Sequence, residues 1–304
     1  MTHPADGWLE RDGIPLHFLE WKPEGTGDAA PVLLVHGLSS NAHYWDRLAR
    51  NLGDRRLIAV DQRGHGLTGR PPHAPLLPAG FAMDELIEDA ALVIESLDLR
   101  RPVVAGHSWG ATVALELAAR RPRLVSGLVF IDGPVQGASN LFSWEEAQGF
   151  MQPPLPRYTT FAQAVDDSRR DFDGAWDDDL EPFVMSRLMQ EGSSFVLTLT
   201  SEVRLELLRG LYDSPVDQLW TELASPAIAL LARVGPKPIR DWREKGVSQL
   251  AQRAPEVRVM WFDTPHDIPI FAPEAVAAEI KSLAGNEAAG SRSEAPSRKS
   301  LEGC

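Results

Sequence analysis

The stretch Pro102-Val103-Val104-Ala105-Gly106-His107-Ser108-Trp109-Gly110-Ala111-Thr112-Val113-Ala114-Leu115 joins a short apolar run to a helical pattern through five residues of the form G-x-S-x-G. Pro102–Ala105 fits a buried parallel strand, and Ala111–Arg120 is rich in strong helix formers and stops just before a proline. A strand that turns into a helix over so few residues strains the backbone at the apex, and glycines on both sides remove side chains that would collide across the turn. The spacing therefore predicts that Ser108 is pushed out at the carboxyl edge of a sheet. It also places Ser108 ahead of a helix whose first N–H groups and dipole favour negative charge.

Similar runs recur on both sides of this stretch. Pro31–Val35, Leu57–Val60, Leu128–Ile131, Ala227–Leu231 and Val257–Phe262 are short and continuously apolar, while Asp84–Leu97 repeats apolar residues at a spacing near that of a helix. Strand and helix in alternation predict an α/β chain with a doubly wound, mostly parallel sheet flanked by helices. Upstream, apolar and polar residues alternate from Trp8 to Trp21 around Asp12-Gly13, a dipeptide suited to a tight turn, so an antiparallel hairpin is expected at the sheet's edge. The alternation lapses after Ile131 and resumes at Ala227, too long a connection to be simple, which predicts an inserted helical cap. The expected organisation is a core over 1–133 and 226–284, a cap or lid over 134–225, and a disordered tail over 285–304, where Gly, Ser, Ala and charge replace any apolar period.

A chain of 304 residues with 43% hydrophobic content buries a large core. Its formal charge of −13 repels phosphate backbones and anionic headgroups, so neither nucleic acid nor membrane is expected as a partner. The single cysteine, Cys304, rules out an internal disulfide framework or a thiolate metal site. Met1–Trp8 lacks the pattern of a leader and no run has membrane-spanning length, so a cytoplasmic location is expected. No zinc-cluster spacing, P-loop or dinucleotide fingerprint occurs, so neither a metal nor an organic cofactor is expected. The carboxylates crowded between Val165 and Glu181 read as a solvated acidic face.

A nucleophilic serine needs a base. Of the 8 histidines, His3 and His17 lie near the start, and His36, His65 and His107 are embedded in turns with other duties. His266, in Thr264-Pro265-His266-Asp267-Ile268-Pro269, follows the last apolar run and precedes the helical pattern Pro273–Leu283, the chain order a Ser…acid…His site requires. The base in turn needs a buried carboxylate to fix its tautomer. Leu128–Ile131 ends directly in Asp132-Gly133-Pro134, whereas Ala227–Val234 ends in Gly235-Pro236-Lys237-Pro238 with Asp241 arriving late. Asp132 is therefore the expected acid and Asp241 the alternative, while a turn-capping role for Asp132 is the structural reading. Two backbone donors are expected for an oxyanion: the Trp109 N–H, and the Leu38 N–H in His36-Gly37-Leu38-Ser39-Ser40. Asp61-Gln62-Arg63-Gly64-His65-Gly66 reads as a structural turn beside the site.

Together the His-Gly loop, the D-x-R-G-x-G segment, the Gly-His-Ser-Trp-Gly elbow and a late histidine followed by Ile268-Pro269 resemble the α/β-hydrolase superfamily, from Trp8 to Leu283, with the cap the least similar part. The resemblance implies the α/β-hydrolase fold. In many members the acid follows the penultimate strand; some carry it one strand earlier, where Asp132 falls. Haloalkane dehalogenases and epoxide hydrolases of the superfamily place an aspartate at the elbow, from which Ser108 departs. The expected chemistry is acyl transfer on a small or medium carboxylic ester or lactone through an acyl-enzyme. Phe142, Trp144, Phe150, Trp176, Phe183 and Phe195 are candidates either to line an apolar pocket or to dock the cap. Three alternatives stand beside this: an aminopeptidase resembling proline iminopeptidase, whose cap carboxylates hold the substrate amine; a hydrolase of a carbon–carbon bond next to a ketone; and a small-molecule receptor with a slow triad.

Overall fold

In a computed structural model the chain is described over residues 3–25, 29–68 and 78–290. Eleven strands occur among the described residues: β1 Ala5–Arg11, β2 Ile14–Trp21, β3 Val32–Val35, β4 Leu57–Val60, β5 Val103–His107, β6 Gly127–Ile131, β7 Arg157–Tyr158, β8 Leu188–Glu191, β9 Ser194–Leu197, β10 Ala227–Ala232 and β11 Arg258–Phe262. Eight of them form one sheet in the order β1-β2-β4-β3-β5-β6-β10-β11. The hairpin β1–β2 is antiparallel and turns at Asp12-Gly13, both at positive φ (54° and 76°), the geometry that matches strand twist in a two-residue loop. β2 meets β4 antiparallel; from β4 to β11 every pairing is parallel.

The apolar runs are continuous because both faces of the sheet are covered. In β3, Leu33 and Val35 pack with the helices Met83–Ser96 and Trp109–Arg120, while Val32 and Leu34 face the opposite layer with Leu48 and Ile280. β6 divides the same way, Leu128 and Phe130 against Val129 and Ile131. Each such fully buried aliphatic side chain contributes about 2 kcal/mol.

The D-x-R-G-x-G segment locks the strand ends. Asp61 Oδ1 accepts the Ala42 N–H at 2.7 Å, and its Oδ2 accepts the Leu67 N–H at 2.9 Å and pairs with His17 Nδ1 at 2.8 Å. Arg63, buried, forks onto Asp89 of the helix Met83–Ser96.

Between β6 and β10 lie the helices Trp144–Met151, Phe161–Asp171, Glu181–Ser186, Ser201–Asp213 and Val216–Glu222. The insertion is not purely helical, as the sequence reading expected: β7, β9 and β8 form a small antiparallel sheet. Its hairpin closes at Gly192-Ser193, where Gly192 takes φ 61°, and Phe195-Val196 favour extended backbone. Side-chain caps start three of the helices, at Ser143, Thr160 and Thr200. The acidic stretch is only partly a solvated face. Asp166, Asp167 and Asp178 pair with the neighbouring Arg169 and Arg170, but Asp179 reaches the core, accepting from Arg47 at 2.6 Å and from Arg50 at 2.5 Å. The last helix runs Pro273–Gly290, past the expected end at Leu283 and into the segment expected to be disordered, because Ala and Glu after Gly285 sustain it. The remainder of that tail, 291–304, lies outside the described residues. No helix among the described residues is long and apolar enough to cross a membrane.

Candidate active site

The turn from β5 into the helix Trp109–Arg120 holds Ser108 at φ 53° and ψ −118°, a conformation that an L-residue adopts only under constraint. The constraint is visible in its neighbours. A Cβ on Gly106 would lie 2.4 Å from Gly110 O, and one on Gly110 would lie 2.3 Å from both His36 O and Val35 O, so β3, β5 and the helix start approach too closely for any side chain. Ser108 N–H donates to Ile131 O at 2.8 Å, fastening the elbow to β6.

Asp132 directly follows β6, also at positive φ (51°), with its N–H donated to Leu230 O at 2.7 Å. Its side chain is fully buried. Oδ1 accepts the Ala232 N–H at 3.0 Å; Oδ2 accepts His266 Nδ1–H at 2.5 Å and a guanidinium N–H from Arg243. Burial pushes the Asp132 carboxyl up, but the hydrogen bond and charge of His266 and the charge of Arg243 outweigh it, leaving the group below the usual carboxylate range. At His266, desolvation pulls downward while the Asp132 hydrogen bond and charge lift the imidazole above its ordinary value. With Nδ1 committed to Asp132, Nε2 is the nitrogen left for a proton from Ser108. The two side chains line one cavity, and no hydrogen bond joins them among the described contacts, a loose spacing common before substrate is bound.

The histidines around this centre are neutral supports. His107 Nε2–H donates to His266 O at 3.1 Å, and Tyr44 stacks on the His107 ring at 4.8 Å. Burial and the charge of His266 push His107 down to about 4. His65 Nε2 accepts the Ser39 N–H at 3.1 Å, and burial with the nearby His36 pushes it down to about 3. His36 Nε2 accepts the Gln62 N–H at 3.1 Å. These bonds shape the loop after β3, in which a Cβ on Gly37 would stand 3.3 Å from Ser108 Cβ. Leu38 follows in that loop, although it does not line the cavity; Trp109 does, and as first residue of its helix its N–H has no intrahelical partner.

The cavity measures about 420 Å³, and its walls are mainly apolar, among them Leu141, Phe142, Met151, Leu211 and Val216 from the insertion and Val234, Pro236 and Ile239 from the turn after β10. Of the five aromatic candidates whose side chains are described, Phe142 lines it. Phe183 is core, against Tyr44; Trp144 packs on Tyr212; Trp176 lies beneath Arg169; Phe195 sits in β9. The side chain of Phe150 lies outside the described residues. Asp241, the alternative acid, is on the surface paired with Lys237. Sequence reasoning missed Arg243, Trp242 and Gln136, all at the cavity, because the helix Lys237–Arg253 is strongly polar and offers no apolar run to mark a buried face. Among the described residues no set of His, Cys, Asp or Glu side chains converges as a metal site.

A family model described as the alpha/beta hydrolase fold matches residues 30–170. Lipase LipV of Mycobacterium tuberculosis is 36% identical over 122 residues, 40% of this chain and 43% of the lipase. Epoxide hydrolase 1 of Caenorhabditis elegans is 30% identical over 138 residues, 44% of this chain and 32% of that protein. In both cases the matched stretch spans less than half of the curated relative's length. The crystal structure of E-2-(acetamidomethylene)succinate hydrolase superposes with a TM-score of 0.75 at 20% identity, covering 92% of this chain and 99% of that one. The likeness in shape extends across nearly the whole chain, which has the α/β-hydrolase fold, and residues 30–170 match that fold's family model.

Proposed function

We propose that this chain is a serine hydrolase that cleaves a small or medium carboxylic ester or lactone with an apolar acyl part through an acyl-enzyme. The observation that carries the reading is the hydrogen bond of 2.5 Å from His266 to the buried Asp132, opening on the same cavity as a serine held at positive φ. His266 Nε2 takes the Ser108 proton as Oγ attacks the carbonyl carbon; the amides of Trp109 and Leu38 receive the oxyanion. Collapse expels the alcohol, which takes the proton back from His266. Water, activated by the same imidazole, then releases the acid. The names of the relatives do not agree on a reaction, so the elbow residue decides: with serine there, the covalent intermediate is an acyl ester.

The aminopeptidase alternative loses its support at the cavity, where Asp132, already committed to His266, is the one carboxylate among the described lining residues; Asp167 and Asp179 of the acidic stretch are paired with arginines away from it. A fluorophosphonate probe is expected to label Ser108, and Ser108→Ala to lose both the label and the hydrolysis of p-nitrophenyl esters. Absence of labelling and turnover in the wild type overturns the reading and favours a receptor, to be recognised by a ligand that raises thermal stability without being consumed.

A further inference from the structure

Asp132 Oδ2 has two partners, His266 Nδ1 and the Arg243 guanidinium. The arginine is 5% exposed and its ion-pair partner 0%. Arg243 is held in place from several directions. Gln136, four residues beyond Asp132, donates Nε2–H to Trp242 O at 2.7 Å. The helix Lys237–Arg253 passes so near the loop after β6 that a Cβ on Gly246 would come within 2.5 Å of Val135. The Gly235 backbone runs alongside, an added Cβ standing 3.4 Å from Arg243 Nη1. A guanidinium buried against a fully buried carboxylate is more than a surface counter-ion.

We propose that Arg243 is a positioning residue of the triad: it holds Asp132 as an anion, aimed at His266, and its charge opposes conversion of His266 to the imidazolium. The inference rests on the reading of His266 as the base. Within the group Asp132, His266 and Arg243, a neutral imidazole leaves a sum of zero and protonating it leaves one positive charge, so losing Arg243 makes protonation easier, while the charge of Asp267 beside His266 acts in the opposite sense. The other groups facing His266 do not replace that effect. Asp267, its chain neighbour, accepts from Tyr44 Oη at 3.1 Å and lifts the imidazole, His107 is neutral, and Arg187 from the insertion acts on Asp267. Arg243 thus keeps the base available at a lower pH than an Asp–His pair alone allows.

The test follows the His266 imidazole by NMR titration of histidine-labelled protein, assigned with His266→Asn, beside the pH dependence of p-nitrophenyl ester hydrolysis. Arg243→Gln is expected to raise the midpoint by about one pH unit, with the acid limb of kcat/KM moving equally. Arg243→Lys, which keeps the charge but not the fork, is expected to hold the midpoint within about 0.3 unit and to lower kcat by about tenfold. An unmoved midpoint in a folded Arg243→Gln overturns the proposal. Should that variant fail to fold, Arg243→Lys decides through its two readouts together: a wild-type midpoint with kcat lowered about tenfold supports the positioning role, and an unchanged kcat overturns it. The titration needs no turnover, so failure of the ester reading is seen separately, as a wild type without activity.

Discussion

At the scale of single residues, the site's chemistry depends on one carboxylate. Asp132→Asn is expected to lower the thermal midpoint, because it leaves the buried Arg243 without its counter-ion, and to lower kcat by about 10³-fold or more in steady-state ester hydrolysis, because an amide in that place favours the wrong imidazole tautomer. The raised His266 value sets the sign of the wild-type pH profile. The imidazole must be neutral to take the Ser108 proton, so kcat/KM is expected to rise with pH through a midpoint above 6.5. The sequence offered Ser108, His266 and Asp132 as candidates because each follows an apolar strand run at a turn signal, and the structure brings the three to one cavity. Arg243 was not among them. It lies far along the chain from Asp132, in Asp241-Trp242-Arg243-Glu244-Lys245, where charged residues on every side conceal which one turns inward.

At the scale of elements, the short parallel strands were readable since burial on both faces leaves no room for polar residues: the run Leu57–Val60 is β4, and Leu128–Ile131 differs from β6 by one residue. The insertion was harder. Its helices are amphipathic and its small hairpin is half-buried, so no single period dominates. Two predictions belong here. Gly110→Ala forces a Cβ against the backbone carbonyls of Val35 and His36, neither of which is a flexible group; a loss of about 3 kcal/mol in denaturant unfolding and collapse of fluorophosphonate labelling are expected. Met151→Trp fills part of the cavity from the insertion side and is expected to shift the preference among p-nitrophenyl esters toward shorter acyl chains, leaving the labelling of Ser108 in place.

Over the whole molecule, the N-terminal hairpin is tied to the parallel sheet by a buried ion pair. His17 Nδ1 meets Asp61 Oδ2 at 2.8 Å, and its Nε2 meets Asp6 Oδ1 at 3.0 Å. Burial pulls His17 down, but Asp61 and Asp6 more than offset it, so its folded value is raised; at Asp61, burial is outweighed by His17 and the value is lowered. The raised histidine contributes stability that is complete below about 6.5 and fades as pH climbs through its folded value, whereas the lowered aspartate contributes above about 3.8 and fades in acid. His17→Gln is therefore expected to cost about 3 kcal/mol between those limits, read as a fall in thermal midpoint, and less as the solution becomes alkaline.

The turn after β10 is relieved of supplying the acid, because Asp132 stands one strand away. The side chains of Val234 and Pro236 serve there as cavity wall. Machinery and mould are therefore carried by separate strand ends. A library randomised at Val234, Pro236 and Ile239 samples new pocket shapes around an unchanged proton path, which makes this turn the place from which the chain's selectivity is most readily evolved.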